Sequence, residues 1–228
     1  MKLTAAGRTD AGVHALMQVA HFDTAAQRSE RSWVLGVNSN CPPDLSVLWV
    51  REVPEQFHAR HSAVARRYLY RIADRPIRPA LDRLRVCWCR KRLDERAMHD
   101  AAQVLQGEHD FSAFRAAECQ SRSPVRRVIG VNVQRVGGVV VMTIEANAFL
   151  HHMVRNVAGA LLAVGTGERD HAWMAELLES RDRTRAGVTA PPQGLYFAAP
   201  SYPAAFGLPA GTDALPPGGA CAGDGGRL

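Results

Sequence analysis

The groups best able to do chemistry lie close together near the start of the chain, in Ala5-Ala6-Gly7-Arg8-Thr9-Asp10-Ala11-Gly12-Val13-His14-Ala15. Arg8 supplies a guanidinium and Asp10 a carboxylate. They are two residues apart, so an extended segment points both to one face. Gly7 and Gly12 bracket them and can take positive φ, which lets another backbone come close. Read alone, Asp10 is an ordinary turn residue with Arg8 as its surface partner. Asp10 with His14 would also suit a hydrolase, but no nucleophile elbow or third member accompanies them.

A loop of this kind needs a rigid frame. The apolar segment Leu3 to Ala6 precedes it, and Gln18 to Phe22 reads as a short strand after it. Ser32 to Asn38 reads as a helix capped by Ser29 or Ser32. Ser46 to Val53 alternates, with Val47, Trp49, Arg51 and Val53 on one face, and predicts a strand ended by Pro54. A domain boundary is expected there, giving an N-terminal α+β domain over 1–55 and a C-terminal α+β domain over 56–205.

Val64 to Ile72 predicts a strand with Arg66, Tyr68, Tyr70 and Ile72 on one face. Asp94 to Gln106 predicts a helix stopped by Gly107, and residues 107–116 a loop or broken helix anchored by Phe111 and Phe114. Arg127–Arg135 and Val139–Ala146 predict a hairpin across Gly137-Gly138. Phe149 to Val164 predicts a buried helix, His171 to Glu179 another, and Gly194 to Ala199 a last strand. From Phe206 onward Gly, Pro and Ala dominate, and a disordered tail is expected over 206–228.

Composition sets the broad class. The chain has 228 residues, 46% of them apolar, and a formal net charge of +6 from 28 Lys+Arg against 22 Asp+Glu. That describes a globular protein with a real core. The basic excess is almost wholly arginine, which suits phosphate but also follows from codon bias. No apolar run is long enough to span a membrane, and the start is too short for a signal peptide, so a cytoplasmic protein is expected. Five scattered cysteines, at 41, 87, 89, 119 and 221, have no zinc or redox spacing and read as free thiols. His151 and His152, as neighbours on a helix, would point about 100° apart, so no metal site is expected.

Gly7 to His14 resembles the active-site loop G-R-T-D-A-G-V-H of the tRNA pseudouridine synthase A (TruA) family. The similarity continues in family order. Phe57-His58-Ala59-Arg60, Ala65-Arg66-Arg67-Tyr68 and Cys119-Gln120-Ser121-Arg122 resemble its F-H-A-R, A-R-R-Y and C-Q-S-R segments. Asn147 to Asn156 resembles N-x-F-L-x-H-M-V-R-x, and Gly194-Leu195-Tyr196 its G-L-Y.

The resemblance implies an α+β pseudouridine synthase fold of two domains, with a mixed, mainly antiparallel sheet, helices on one side and a basic central cleft. It implies isomerisation of uridine to pseudouridine at positions 38, 39 and 40 of the tRNA anticodon stem-loop, by a homodimer and without a cofactor. Asp10 would be catalytic. Arg8 would extrude the target nucleotide, Tyr68 would stack on uracil and relay the C5 proton, Arg155 would pair with Asp10, and Leu195 would wall the base pocket. RNA contacts are expected from Arg28, Phe57, His58, Ala59, Arg60, His61, Arg67, Glu118, Cys119, Gln120, Ser121 and Arg122.

The family carries a strand and a helix ahead of the aspartate loop, and here that part of the first domain is short. Exposed apolar surface and an unpaired strand edge are therefore expected in the N-terminal part. The rival reading is a catalytically inactive tRNA-binding fragment.

Overall fold

A computed structural model of the chain describes residues 2–209. Its frame is one seven-stranded sheet. The strands are β2 (His14–Ala15), β4 (Ala65–Asp74), β5 (Cys87–Cys89), β6 (Gly107–Asp110), β7 (Val125–Val136), β8 (Val139–Ala146) and β9 (Leu195–Ser201). They run in the order β2-β9-β4-β8-β7-β6, with β5 beside the end of β4. Four pairings are antiparallel; β2 on β9 and β5 on β4 are parallel. A separate two-stranded ribbon joins β1 (Thr4–Ala5) to β3 (Ala20–His21).

The alternation in β8 shows why the sheet has one dry face. Val140, Met142, Ile144 and Ala146 point into the main core with Tyr70 and Ile72 of β4, while Val141 joins Leu69, Tyr196 and Ala198 on the other face. Helices α2 (Glu95–Ala102), α3 (Met153–Gly165) and α4 (Trp173–Ser180) supply the rest of that core. The expected α+β fold with helices on one side is therefore present. The β7–β8 hairpin closes over Gly137 and Gly138, at φ 54° and 82°, the two-glycine turn that matches strand twist.

Helix α3 is buried over most of its surface. Its one fully buried polar side chain, Asn156, donates to Phe114 O at 2.8 Å and accepts from Thr189 Oγ1 at 2.7 Å and Arg183 at 3.1 Å. Asp94 caps α2, accepting from the amides of Arg96 and Ala97.

Several expectations need correction. Ser46 to Val53 is not a strand, although Val47, Trp49 and Val53 do turn inward. The backbone of Val47 is taken up by the side chain of Asn38, at 2.7 and 2.8 Å, and among the described residues no neighbouring strand completes a ladder. Residues 107–110 form β6, a polar strand that exists because β7 offers it an edge. The three residues of β5 carry no readable period. Helix α2 ends at Ala102 and continues as a 3₁₀ turn to Leu105. Helix α3 starts at Met153, four residues later than expected, because His152 adopts φ 60°.

The N-terminal part holds helix α1 (Glu30–Asn38), capped by Ser29 and without a fully buried residue. Leu3, Leu35 and Leu48 are largely exposed. A small second core of Ala6, Val19, Phe57, Ala59 and Phe197 ties this part to the main sheet. It draws residues from both sides of position 55. Phe206, expected in a disordered tail, packs its ring 5.2 Å from Phe57. The rest of that tail, from residue 210, lies outside the described residues.

The strongest buried ion pair is remote from the aspartate loop. Asp74 has no exposed side-chain surface and takes two bonds from Arg135, at 2.7 and 2.9 Å, and one from Leu93 N–H at 3.0 Å. Replacing Asp74 with Ala would leave the largely buried Arg135 guanidinium with Glu95 and the Leu93 carbonyl and without its bidentate partner. The expected loss is about 3–5 kcal/mol, read from urea unfolding midpoints of the variant and the parent chain.

Candidate active site

Asp10 is held at the meeting point of four segments. Its own loop is closed by Gln18, whose side-chain amide donates to Gly7 O at 2.8 Å and accepts from Gly7 N–H at 3.4 Å. The chain then turns, with Val13 N–H donating to Asp10 O at 3.0 Å and Gly12 at φ 81°. A positive φ at that corner selects glycine. Gly7 does not take positive φ. His14 and Ala15 next join β9 as the sheet edge, and the His14 ring stacks on Tyr196 at 4.8 Å while Nε2 bonds Leu84 O at 2.7 Å.

The second segment is the turn leading into α3. Arg155 stands in the first turn of that helix with its side chain 14% exposed. It donates from Nε to Ala190 O at 2.8 Å and from Nη1 to Asp10 Oδ2 at 3.1 Å. A cation at a helix N-terminus opposes the helix dipole, so this arginine needs both acceptors. His152 Nε2 lies 3.0 Å from the same oxygen, and His151 Nε2 lies 3.6 Å from Oδ1.

These histidines overturn the expectation of divergent neighbours. They precede the helix, and their rings lie 4.0 Å apart. Among the described residues, Asp10, His151 and His152 form the one group of three metal-type donors, with ligand atoms within 4.8 Å of one another. The guanidinium already on Oδ2 opposes a further cation there. Arg155 donates to the carboxylate, His152 stands at hydrogen-bond distance and His151 just beyond it.

The third and fourth segments, β4 and β9, make an aromatic wall. The Tyr68 ring meets Phe149 and Phe197 edge-on, at 4.9 and 5.1 Å. A methyl added at Gly7 would sit 3.7 Å from the Phe197 ring and 3.9 Å from the Tyr68 hydroxyl, so the loop passes close to both. Burial pushes the Tyr68 phenol up to about 12, with the nearby Asp10 charge adding to the rise and Arg66 opposing it. Such a phenol stays protonated at neutral pH, so it suits stacking and hydrogen bonding better than service as a base. Leu195 is buried at the start of β9, opposite Tyr70. Arg8 is exposed and is not among the groups that pair with Asp10.

The residues expected to touch RNA divide by burial. Arg60, His61, Glu118, Gln120 and Arg122 are exposed, as is Arg28, whose guanidinium lies over the Trp33 ring. His58 accepts the amides of Arg60 and His61 on Nδ1, and Ser121 accepts from Arg126. Arg67 is ion-paired with Glu145 at 2.9 Å.

Phe57, Ala59 and Cys119 are buried. Their side chains shape the loops and are withdrawn from a binding surface. Cys119 Sγ accepts from His151 N–H at 3.4 Å, which ties one RNA-facing loop to the histidine turn. Reading by spacing passed over Gln18 as well as His151 and His152 as partners of the aspartate loop. The adjacent His-His pair was visible, but a helical reading of 149–152 separated the two rings.

The open groove of about 680 Å³ lined by Arg92, Thr166 and His171 lies at the far end of α3. At 1.5 Å per residue the helix separates it from Asp10 by about 20 Å.

Comparison with known proteins identifies the family. A family model described as tRNA pseudouridine synthase matches residues 101–203. The tRNA pseudouridine synthase A of Methylococcus capsulatus is 59% identical over 208 residues, which cover 91% of this chain and 77% of that protein. The chain belongs to the tRNA pseudouridine synthase A family. The protein of that name from Coxiella burnetii is 53% identical over 207 residues, covering 91% of this chain and 79% of its own length. That of Xanthomonas campestris is 54% identical over 210 residues, covering 92% and 82%. Arg155 and Leu195 fall inside the segment matched by the family model, whereas Asp10 and Tyr68 lie ahead of it.

The raised Tyr68 phenol has a consequence for stability. A proton that the folded state holds more tightly than the unfolded state stabilises the fold below the unfolded pKa. That stability is present below about pH 10 and is lost as pH climbs towards about 12. Urea midpoints of the parent chain should fall through this window. Tyr68→Phe should flatten part of the fall, and an unchanged profile would contradict a buried phenol.

Proposed function

We propose that this chain isomerises uridine to pseudouridine at positions 38, 39 and 40 of the tRNA anticodon stem-loop. One observation carries the reading. A carboxylate gripped by Arg155 at 3.1 Å stands near Tyr68, whose ring packs edge-on against Phe149 and Phe197. The reaction needs both features. The N1–C1′ bond breaks, the uracil turns while it is held, and C5 joins C1′. C5 loses a proton and N1 gains one, so the atoms balance without a cofactor or a metal.

Asp10 acts at the ribose, either by attacking carbon or by taking a proton. Arg155 holds its carboxylate aimed. Tyr68 stacks on the free base, and Leu195 closes the pocket behind it. The exposed Arg8 suits insertion into the stack vacated by the extruded nucleotide. The exposed basic loops around Arg60 and His61 and around Arg122, with Arg28, suit phosphates of the arm. The proposal includes a homodimer and a cytoplasmic location, both supported by the family resemblance.

The test is pseudouridine mapping on anticodon stem-loop transcripts incubated with the 228-residue chain. Pseudouridine on the 3′ side of the arm is the expected product, with tritium released from C5-labelled uridine and no free uracil. Asp10→Asn should lower the rate at least about 1,000-fold while stem-loop binding changes by less than about three-fold. Binding without product by the parent chain would favour the inactive tRNA-binding reading instead.

A further inference from the structure

The turn before α3 breaks two local rules at one residue. His152 occupies the helix N-cap, where Ser, Thr, Asp or Asn normally supply an oxygen to the first amides, and its side chain makes no capping bond. It also takes φ 60° and ψ 3°, a left-handed conformation that costs a side chain with a Cβ. What the strained turn gains is the position of one atom: Nε2 of His152 lies 3.0 Å from Asp10 Oδ2. Strain of this kind persists only where the surroundings hold it, and it clusters at functional sites.

We propose that His152 is a positioning residue for the isomerisation, aiming the Asp10 carboxylate from a strained turn through its Nε2–H. The inference rests on the function proposed above. An ionised carboxylate can only accept, so the nitrogen facing it carries the proton. In the neutral ring Nδ1 is then bare. Arg155 Nη1 and His152 Nε2 converge on Oδ2, while among the described residues Oδ1 has only His151, at 3.6 Å. Oδ1 is thereby the oxygen left available for the ribose.

The charged and titratable groups around His152 are Asp10 from the loop, His151 on the same turn and Arg155 from α3. Tyr68 flanks Asp10 from β4 with a protonated phenol, and Cys119 lies beneath the His151 amide. Burial, the neighbouring His151 and Arg155 hold the His152 imidazole below its usual range, against the pull of Asp10. It is neutral at pH 7. Protonation in acid would place a second full cation against the carboxylate and make it a poorer nucleophile and base. Activity should therefore fall in acid, with a midpoint below that of an ordinary imidazole.

Two variants and one spectrum test this. His152→Asn tolerates left-handed backbone but is too short to reach Asp10. It should lower kcat on the stem-loop at least about ten-fold, with KM within about three-fold and the melting temperature equal or higher. His152→Gln restores a donor that cannot titrate. It should recover most of that loss and flatten the acid limb. Parent-like kcat in the Asn variant would overturn the proposal, and so would a kcat loss in both variants that tracks a fall in melting temperature.

The spectrum does not depend on activity. Imidazole ¹⁵N signals of the parent chain should show His152 as the Nε2–H tautomer, with its titration midpoint moving to lower pH in Asp10→Asn. A Nδ1–H tautomer or an unmoved midpoint would overturn the contact. If the parent chain makes no pseudouridine but the spectrum behaves as expected, the proposed function has failed and the positioning contact stands.

Discussion

The contact between Arg155 and Asp10 organises the rest of the site. It joins residues 145 positions apart and brings a guanidinium in the first turn of a buried helix to a carboxylate on a loop. Neither group is comfortable without the other. The guanidinium is 14% exposed and sits at the wrong end of a helix dipole. The carboxylate lies near the buried Tyr68 phenol. Breaking one partner leaves the other partly desolvated, which is more costly than the pair itself is stabilising.

That contact depends on the order of strands in the sheet. β9 lies between β2 and β4, so one strand carries the Asp10 loop on its parallel edge and Tyr68 across its antiparallel edge. The stacking of His14 on Tyr196 fixes the loop end to this strand. Helix α3 packs on the dry face of the same sheet and is held close to residues 188–190. A Cβ at Gly159 would come within 2.0 Å of Val188 O, so glycine is required there. This close approach places Ala190 O where Arg155 can use it.

Chemical roles in the cleft are separated by environment. Burial keeps Tyr68 protonated, whereas Asp10 keeps a third of its side chain exposed and accepts from Arg155. The N-terminal part contrasts with this. Helix α1 is capped and regular but buries no residue fully, and its hold on the rest comes from the small core around Phe57 and Phe197. Phe57, Ala59 and Cys119 belong to segments that face solvent at neighbouring positions, yet they point inward. A loop presenting Arg60 or Arg122 needs such anchors to keep its shape.

The sequence by itself determined the family, the identity of the carboxylate and its arginine, the hairpin and the apolar faces of β4, β8 and α3. Those rest on residue type, motif order and period, which are local quantities. It also limited the glycine turn, since φ 54° and 82° at Gly137 and Gly138 follow from a two-residue hairpin. Only the tertiary structure decided the remainder. The period of Ser46 to Val53 was real, but a strand also needs a partner, and none lies beside it among the described residues. Residues 107–110 have no strand-like period and are a strand because β7 has an open edge. His151 and His152 seemed to diverge because a helix was assumed. Left-handed backbone at His152 turns both rings onto Asp10, and that conformation is fixed by the packing of α3 and the loop around it.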